Sequence, residues 1–132
     1  MKTTITTGLQ DLVRGKYSHA IDSFSQSSEG VAREIGLSAA YFNLGISTLS
    51  IECINNAIHH GRNAVKQYGS SFDAHILLAQ AHAILYGTRG QEQDRRKALF
   101  HYETAERSAS ERPDFSAGYI TRTIKQRRGE LS

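Results

Sequence analysis

The sequence predicts an all-α protein, and three observations lead to that class. Apolar residues recur every three or four positions along most of the chain, which is the spacing of one face of an α-helix. No stretch shows the sustained apolar–polar alternation that marks a half-buried strand. The 132 residues contain a single proline, Pro113, and proline interrupts helices. Long helices joined by short breaks are therefore expected.

Short breaks rich in glycine, serine and charged residues divide the chain into seven predicted helices. The breaks fall near residues 15, 27–30, 50, 69–71, 87–94 and 110–114. The helices are predicted at residues 3–14, 17–27, 31–49, 52–68, 72–86, 94–109 and 114–128. No linker or low-complexity segment separates them, so one domain over residues 1–132 is expected.

From the second helix onward, each predicted helix carries its own apolar pattern. The pattern of the second helix includes Tyr17, Ala20 and Phe24, and that of the third includes Leu37, Ala40, Tyr41 and Leu44. The fourth helix has Ile54, Ala57, Ile58, Ala64 and Val65, and the fifth consists of FDAHILLAQAHAILY. The sixth has Ala98, Leu99, Tyr102 and Ala105, and the seventh has Phe115, Tyr119, Ile120 and Ile124. The third helix has a second apolar face, formed by Phe42, Ile46 and Leu49. It should therefore pack on two sides or offer a face to a partner. The fifth is apolar on nearly every side and should be the most enclosed.

Composition favours an ordinary soluble protein. The net charge of +3 is too small to require a nucleic acid or a membrane as partner. The one cysteine, Cys53, cannot form an internal disulfide. The first residues contain no apolar signal-peptide core, and no apolar run approaches the roughly 20 residues of a membrane span. These features predict a cytoplasmic location.

A repeated arrangement of small and aromatic residues accounts for much of the sequence. In GKYSHAIDSFSQS, Tyr17, Ala20 and Phe24 follow Gly15, and Ser27 closes the pattern. A later helix carries a second set, Tyr41, Leu44 and Gly45, with the order aromatic-x2-Leu-Gly, and Ala98, Tyr102 and Ala105 repeat the alternation of small and aromatic residues in the first set. With these features the chain resembles a tetratricopeptide repeat protein, in which small residues let paired helices approach closely. The resemblance gives units near 1–34, 38–71 and 72–113, with a capping helix at 114–128.

Two features depart from the family pattern. Gly8 and Gly45 are 37 positions apart, whereas the repeat is about 34 residues long. The third unit has extra residues between its helices, at 87–96. Each repeat is also degenerate, since Thr4, Thr7 and Asp11 replace bulky residues in the first unit and Gly61 replaces an aromatic residue in the second.

The resemblance implies a right-handed array of helical hairpins, an α-solenoid, whose first helices line a concave groove. Residues at the groove positions are Leu9, Leu12, Val13, Phe42, Asn43, Ile46, Leu49, Ile76, Gln80 and Ile84, with Ile5 and Ala83 beside them. Most are apolar, so the expected function is that of an adaptor or scaffold that binds an apolar helix or peptide of a partner protein. A chaperone-like role, a place as a subunit in a larger complex, and filling by the chain's own end or by a second copy remain alternatives. Only Asn43 matches the family's carboxylate clamp, so that specialisation is not expected.

Two basic clusters support an alternative function. The first consists of Arg95, Arg96 and Lys97, and the second of Lys125, Arg127 and Arg128. The second cluster ends the last predicted helix, where positive charge interacts favourably with the helix dipole, and we interpret both clusters as helix-end charge that aids solubility. The alternative is a regulatory or nucleic-acid-associated protein that contacts phosphates through them. No exposed aromatics are interleaved with the basic residues, so nucleic acid is not the expected partner.

No motif indicates catalysis, a cofactor or a metal. His59 and His60 are adjacent on a helix and point about 100° apart. His75 and His82 lie two turns apart, at places where the repeat pattern has large aromatic residues, so a packing role is expected for both. Nucleophile, phosphate-loop and dinucleotide-binding motifs are absent from the sequence. The chain is therefore not expected to be an enzyme.

Overall fold

A computed structural model describes residues 4–69, 71–110 and 117–131, and the side chains of 4, 109, 110 and 117–123 lie outside that description. Over these residues the all-α prediction is confirmed, with seven helices and no strand. The helices are α1 Thr4–Val13, α2 Tyr17–Ser25, α3 Val31–Thr48, α4 Ile51–Gln67, α5 Phe72–Arg89, α6 Glu92–Ser110 and α7 Ala117–Glu130. No helix in the described ranges is long and apolar enough to cross a membrane.

The predicted break at 87–94 is wrong, because most of that segment is helical. Helix α5 continues to Arg89 and α6 begins at Glu92. The helix ends at Gly90, whose φ of 67° is left-handed and suits glycine. The Arg89 guanidinium then donates to both carboxylate oxygens of Asp94, at 3.0 and 3.2 Å, across the short connection. The extra residues of the third predicted unit therefore extend two helices and do not form a long loop.

The chain divides into two compact units, Met1–Gly69 and Ser70–Ser132. Helices α1 to α4 belong to the first unit, and α5 to α7 belong to the second. The division falls within the predicted break at 69–71. The single tetratricopeptide-like domain expected over the whole chain stays a prediction.

The core of the first unit is built around Phe24 on α2. Its side chain is fully buried, and it packs with Ala20, Leu37 and Ala40. A Cβ atom at Gly8 of α1 would lie 2.6 Å from the Phe24 ring, and one at Gly36 of α3 would lie 2.5 Å from it. Both helices can therefore close on the ring only because glycine stands at each contact.

Helices α3 and α4 share the most extensive helix contact in the first unit. The buried Ser38 hydroxyl of α3 donates to the Ala57 carbonyl of α4 at 2.7 Å. A Cβ at Gly45 would lie 2.8 Å from Cδ1 of Ile54. The small residue expected at 45 thus lies at a close helix contact. Helix α3 also contacts α1 and α2, so it packs on more than one side, as its two apolar faces predict.

The second unit has its own core between α5, α6 and α7. Buried residues of this core are Ala79, Ala98, Tyr102, Ala105, Ile124 and Leu131. Helix α5 has seven buried residues, more than any other helix over the described side chains, which confirms it as the most enclosed. Ile124 of the predicted capping helix is buried, whereas the side chains of Phe115, Tyr119 and Ile120 lie outside the described residues.

Candidate partner-binding surfaces

Two neighbouring helices of the first unit carry exposed apolar side chains. On α1, Leu9 is 50% exposed and Val13 is 87% exposed. On α3, Ile46 is 45% exposed and Leu49 is 90% exposed. Helices α1 and α3 contact each other. Single exposed apolar residues are normal on a protein surface, and these four are candidates for an interaction site because their helices contact each other.

The backbone conformation of Leu49 sets it apart from the other three. Leu49 follows the last residue of α3 and has a φ of 55° and a ψ of 42°. It has the one positive φ among the non-glycine residues that the structure describes. A left-handed conformation costs about 1–2 kcal/mol for a residue with a Cβ. Because the side chain is almost fully exposed, burial in the core does not offset this cost.

The other predicted groove residues of the first unit are at least partly covered. Leu12 packs against the core around Phe24. Phe42 and Asn43 are half-buried. The Asn43 amide donates to the Ala39 carbonyl of its own helix at 2.8 Å, so part of its hydrogen-bonding capacity is already used.

The groove residues predicted in the second unit all lie on α5. Ile76 packs against the core of that unit, Gln80 is half-buried, and Ile84 is partly exposed. The sequence interpretation missed Phe100 on α6, which is exposed. The sequence could have predicted this exposure, because Phe100 lies outside the helical stripe of small and aromatic residues through which α6 packs into the core.

The first basic cluster is largely neutralised within the second unit. The Arg95 guanidinium donates to the Leu131 carbonyl and to the Glu92 carboxylate, each at 2.7 Å. Arg96 also pairs with Glu92, at 3.8 Å. Lys97 is exposed and forms no ion pair with any other described residue.

The second basic cluster shows the same pairing. Arg128 lies 3.2 Å from the carboxylate of Glu106 and 3.8 Å from that of Glu103. Arg127 pairs with Glu130 at 3.6 Å. Lys125 is exposed and has no carboxylate partner in the described part of the chain. Each arginine of the two clusters therefore faces a carboxylate, whereas Lys97 and Lys125 have no carboxylate partner in the described part of the chain.

Histidines form a buried polar cluster between α5 and α6. His75 and His82 are buried, as expected for residues at the large aromatic positions. The Nδ1 atoms of His75 and His101 are 2.9 Å apart. The rings of His82 and His101 stack with centroids 6.0 Å apart. Asp94 is also buried here and lies 3.8 Å from His82. Within the described ranges, no group of three or more His, Cys, Asp or Glu side chains is arranged to hold a metal ion.

A surface depression on α4 was not expected from the sequence. It has a volume of about 200 Å³ and is lined by Asn55, Ile58, His59, Arg62, Asn63 and Lys66. Arg62 and Lys66 are exposed, and neither forms an ion pair with a described residue. The apolar pattern of α4 identified its buried face and said nothing about this one.

Comparison of the chain with protein-family models, with curated proteins and with solved structures gave no match. The resemblance to tetratricopeptide repeats therefore depends on the residue pattern alone.

Proposed function

We propose that this chain is a protein–protein interaction module. It would bind an apolar helix or peptide of a partner protein on a face formed by α1 and α3 of the first unit. Leu9, Val13, Ile46 and Leu49 would be the contact residues, and we call these four side chains the apolar face. This proposal keeps the tetratricopeptide-like interpretation of the helix pattern and assigns the chain no catalytic role.

The exposure of Leu49 is the observation that carries the proposal. A leucine that is 90% exposed, in a left-handed conformation, adds nothing to the core and strains the backbone. Glycine or asparagine would end α3 at lower cost. A partner that covers this side chain would gain apolar burial that the isolated chain lacks.

Burial of the apolar face gives a rough measure of its contribution. Fully burying a valine, leucine or isoleucine side chain contributes about 1.5–3 kcal/mol. Val13 and Leu49 can contribute most of that range, because they are nearly fully exposed. Ile46 and Leu9 can contribute about half of it. Since α1 and α3 are already packed on Phe24, the partner would meet a preformed surface, which lowers the ordering cost on this side.

The test substitution is Ile46→Glu, which places a charge on the apolar face. The matched control is Phe100→Glu, which changes another exposed apolar residue, on α6 of the second unit. Each purified chain would be used for affinity purification from the native source. A captured protein would be identified, and its binding segment would be titrated against the purified chains. We expect Ile46→Glu to weaken binding of that segment at least tenfold and Phe100→Glu to leave it unchanged.

Three outcomes bear on the proposal. Equal capture by wild type and Ile46→Glu would show that the apolar face is not the binding site. Loss of helicity by circular dichroism in Ile46→Glu would show that Ile46 is part of the core. A concentration-dependent dimer that Ile46→Glu dissociates would mean that a second copy of the chain covers the face.

A further inference from the structure

The depression on α4 is built from two parallel rows of side chains. Ile58, Arg62 and Lys66 are spaced four residues apart and form one row. The second row has the same spacing and consists of Asn55, His59 and Asn63. Residues four apart lie on the same side of a helix, about 6 Å from each other along its axis. Each row is therefore about 12 Å long, and the two rows are offset by three residues along the helix.

The polar row is held in place by neighbouring side chains. The Asn63 amide and the His59 Nε2 are 3.4 Å apart. The His59 ring packs edge-on against His60, with centroids 5.0 Å apart. His60 in turn lies 2.6 Å from the Glu34 carboxylate on α3 and stacks on Tyr41. The polar row is thus connected to α3 through His60.

The chemistry of the rows indicates what they can bind. Arg62 and Lys66 have no carboxylate partner among the described residues, in contrast to the four arginines of the basic clusters. Two adjacent cations favour anionic groups. The amides of Asn55 and Asn63 can both donate and accept hydrogen bonds, as a peptide bond can, whereas a phosphate backbone offers acceptors alone. Ile58 adds an apolar contact.

We propose that α4 binds an extended acidic peptide in this depression. Alternate side chains of an extended peptide are about 6.7 Å apart, close to the 6 Å step of the Ile58 row. An apolar residue at one peptide position would meet Ile58. Carboxylates two and four positions along would meet Arg62 and Lys66, while the polar row pairs with the peptide backbone. A segment of about five residues spans the site. This site lies on a different helix from the apolar face and does not depend on it.

Two short probes cover both directions of the peptide. They are acetyl-Leu-Ser-Glu-Ser-Glu-amide and acetyl-Glu-Ser-Glu-Ser-Leu-amide, and in the matched controls glutamine replaces each glutamate. Each probe is titrated into the full-length ¹⁵N-labelled chain by NMR. We expect one acidic probe to shift the backbone signals of residues 55–66 in a saturable manner. Exposed ion pairs contribute about 0.2–1 kcal/mol each, so the glutamine control should bind roughly two- to thirtyfold more weakly.

Chain variants then test the assigned residues. Arg62→Glu and Lys66→Glu should each weaken binding of the acidic probe to about the same extent as the glutamine replacement does, and Arg62→Gln should weaken it less while preserving the fold. Lys125→Glu changes an exposed lysine on α7 and should have no effect. Equal binding of the glutamine probes, an equal loss with Lys125→Glu, or the absence of shifts in α4 would overturn the proposal. So would tighter binding of hexauridylate at the same residues, since the ligand would then be a polyphosphate and not a peptide.

Discussion

Substitution of Gly36 by alanine tests how closely the first unit is packed. A Cβ at this position would lie 2.5, 2.6 and 2.7 Å from three carbons of the Phe24 ring, and ordinary contacts begin near 3.4 Å. The ring would have to move by almost 1 Å, but it is fully buried and has Gly8 on another side. Overpacking of this kind costs about 1–3 kcal/mol. Alanine is more favourable than glycine inside a helix by about 0.5–1 kcal/mol, which offsets part of this cost. We therefore expect a net destabilisation of up to about 2.5 kcal/mol.

The assay is urea unfolding followed by circular dichroism, with Phe24→Leu as the second arm of a double-mutant cycle. A leucine lacks the outer ring carbons, so Gly36→Ala should become neutral or mildly stabilising in that background. The expected coupling energy exceeds about 1 kcal/mol. As a control, Gly87→Ala on α5 places a Cβ in open space and should stabilise the helix by about 0.5–1 kcal/mol. An equal effect of Gly36→Ala in both backgrounds would refute the packing argument.

Two further predictions concern single residues. Leu49→Gly should raise the free energy of unfolding by about 0.5–1 kcal/mol, because relief of left-handed strain exceeds the added chain entropy, and urea unfolding would measure it. A loss of stability would contradict the strain assigned to Leu49. Burial raises the pKa of Tyr102 above 10.0, with Glu130 raising it further and Arg127 opposing this. The unfolded chain therefore loses this proton first, so stability present below about pH 10 should fall as the pH rises. In the same assay, the free energy of unfolding of Tyr102→Phe should fall less steeply than that of wild type between about pH 9 and about pH 11. Parallel pH curves for the two chains would exclude the effect.

The sequence was sufficient to predict the helices, because periodic apolar residues determine which face of each helix is buried. Phe24, Ala98 and Tyr102 are all buried where the repeat pattern places them. The end of α5 was missed because a glycine often ends a helix, and two candidates lie three residues apart. Gly87 stays inside the helix, whereas Gly90 adopts the left-handed conformation that ends it.

The candidate surfaces were harder to predict, because they depend on pairing between helices that are distant in sequence. Arg128 looked available in a run of basic residues, but it faces Glu103 and Glu106 on α6. Arg62 and Lys66 did not form a conspicuous run, yet they have no described ion-pair partner. A count of charges along the chain cannot separate these cases, since neutralisation is a property of the folded neighbours.

The contact between His75 and His101 fixes where protons can reside inside the α5–α6 hairpin. Two ring nitrogens 2.9 Å apart form a hydrogen bond only if one carries hydrogen and the other presents a lone pair. One imidazole must therefore be the Nδ1–H form, while its neighbour has a bare Nδ1 and, when neutral, carries its hydrogen on Nε2. The two rings are chemically inequivalent although their residue type is the same.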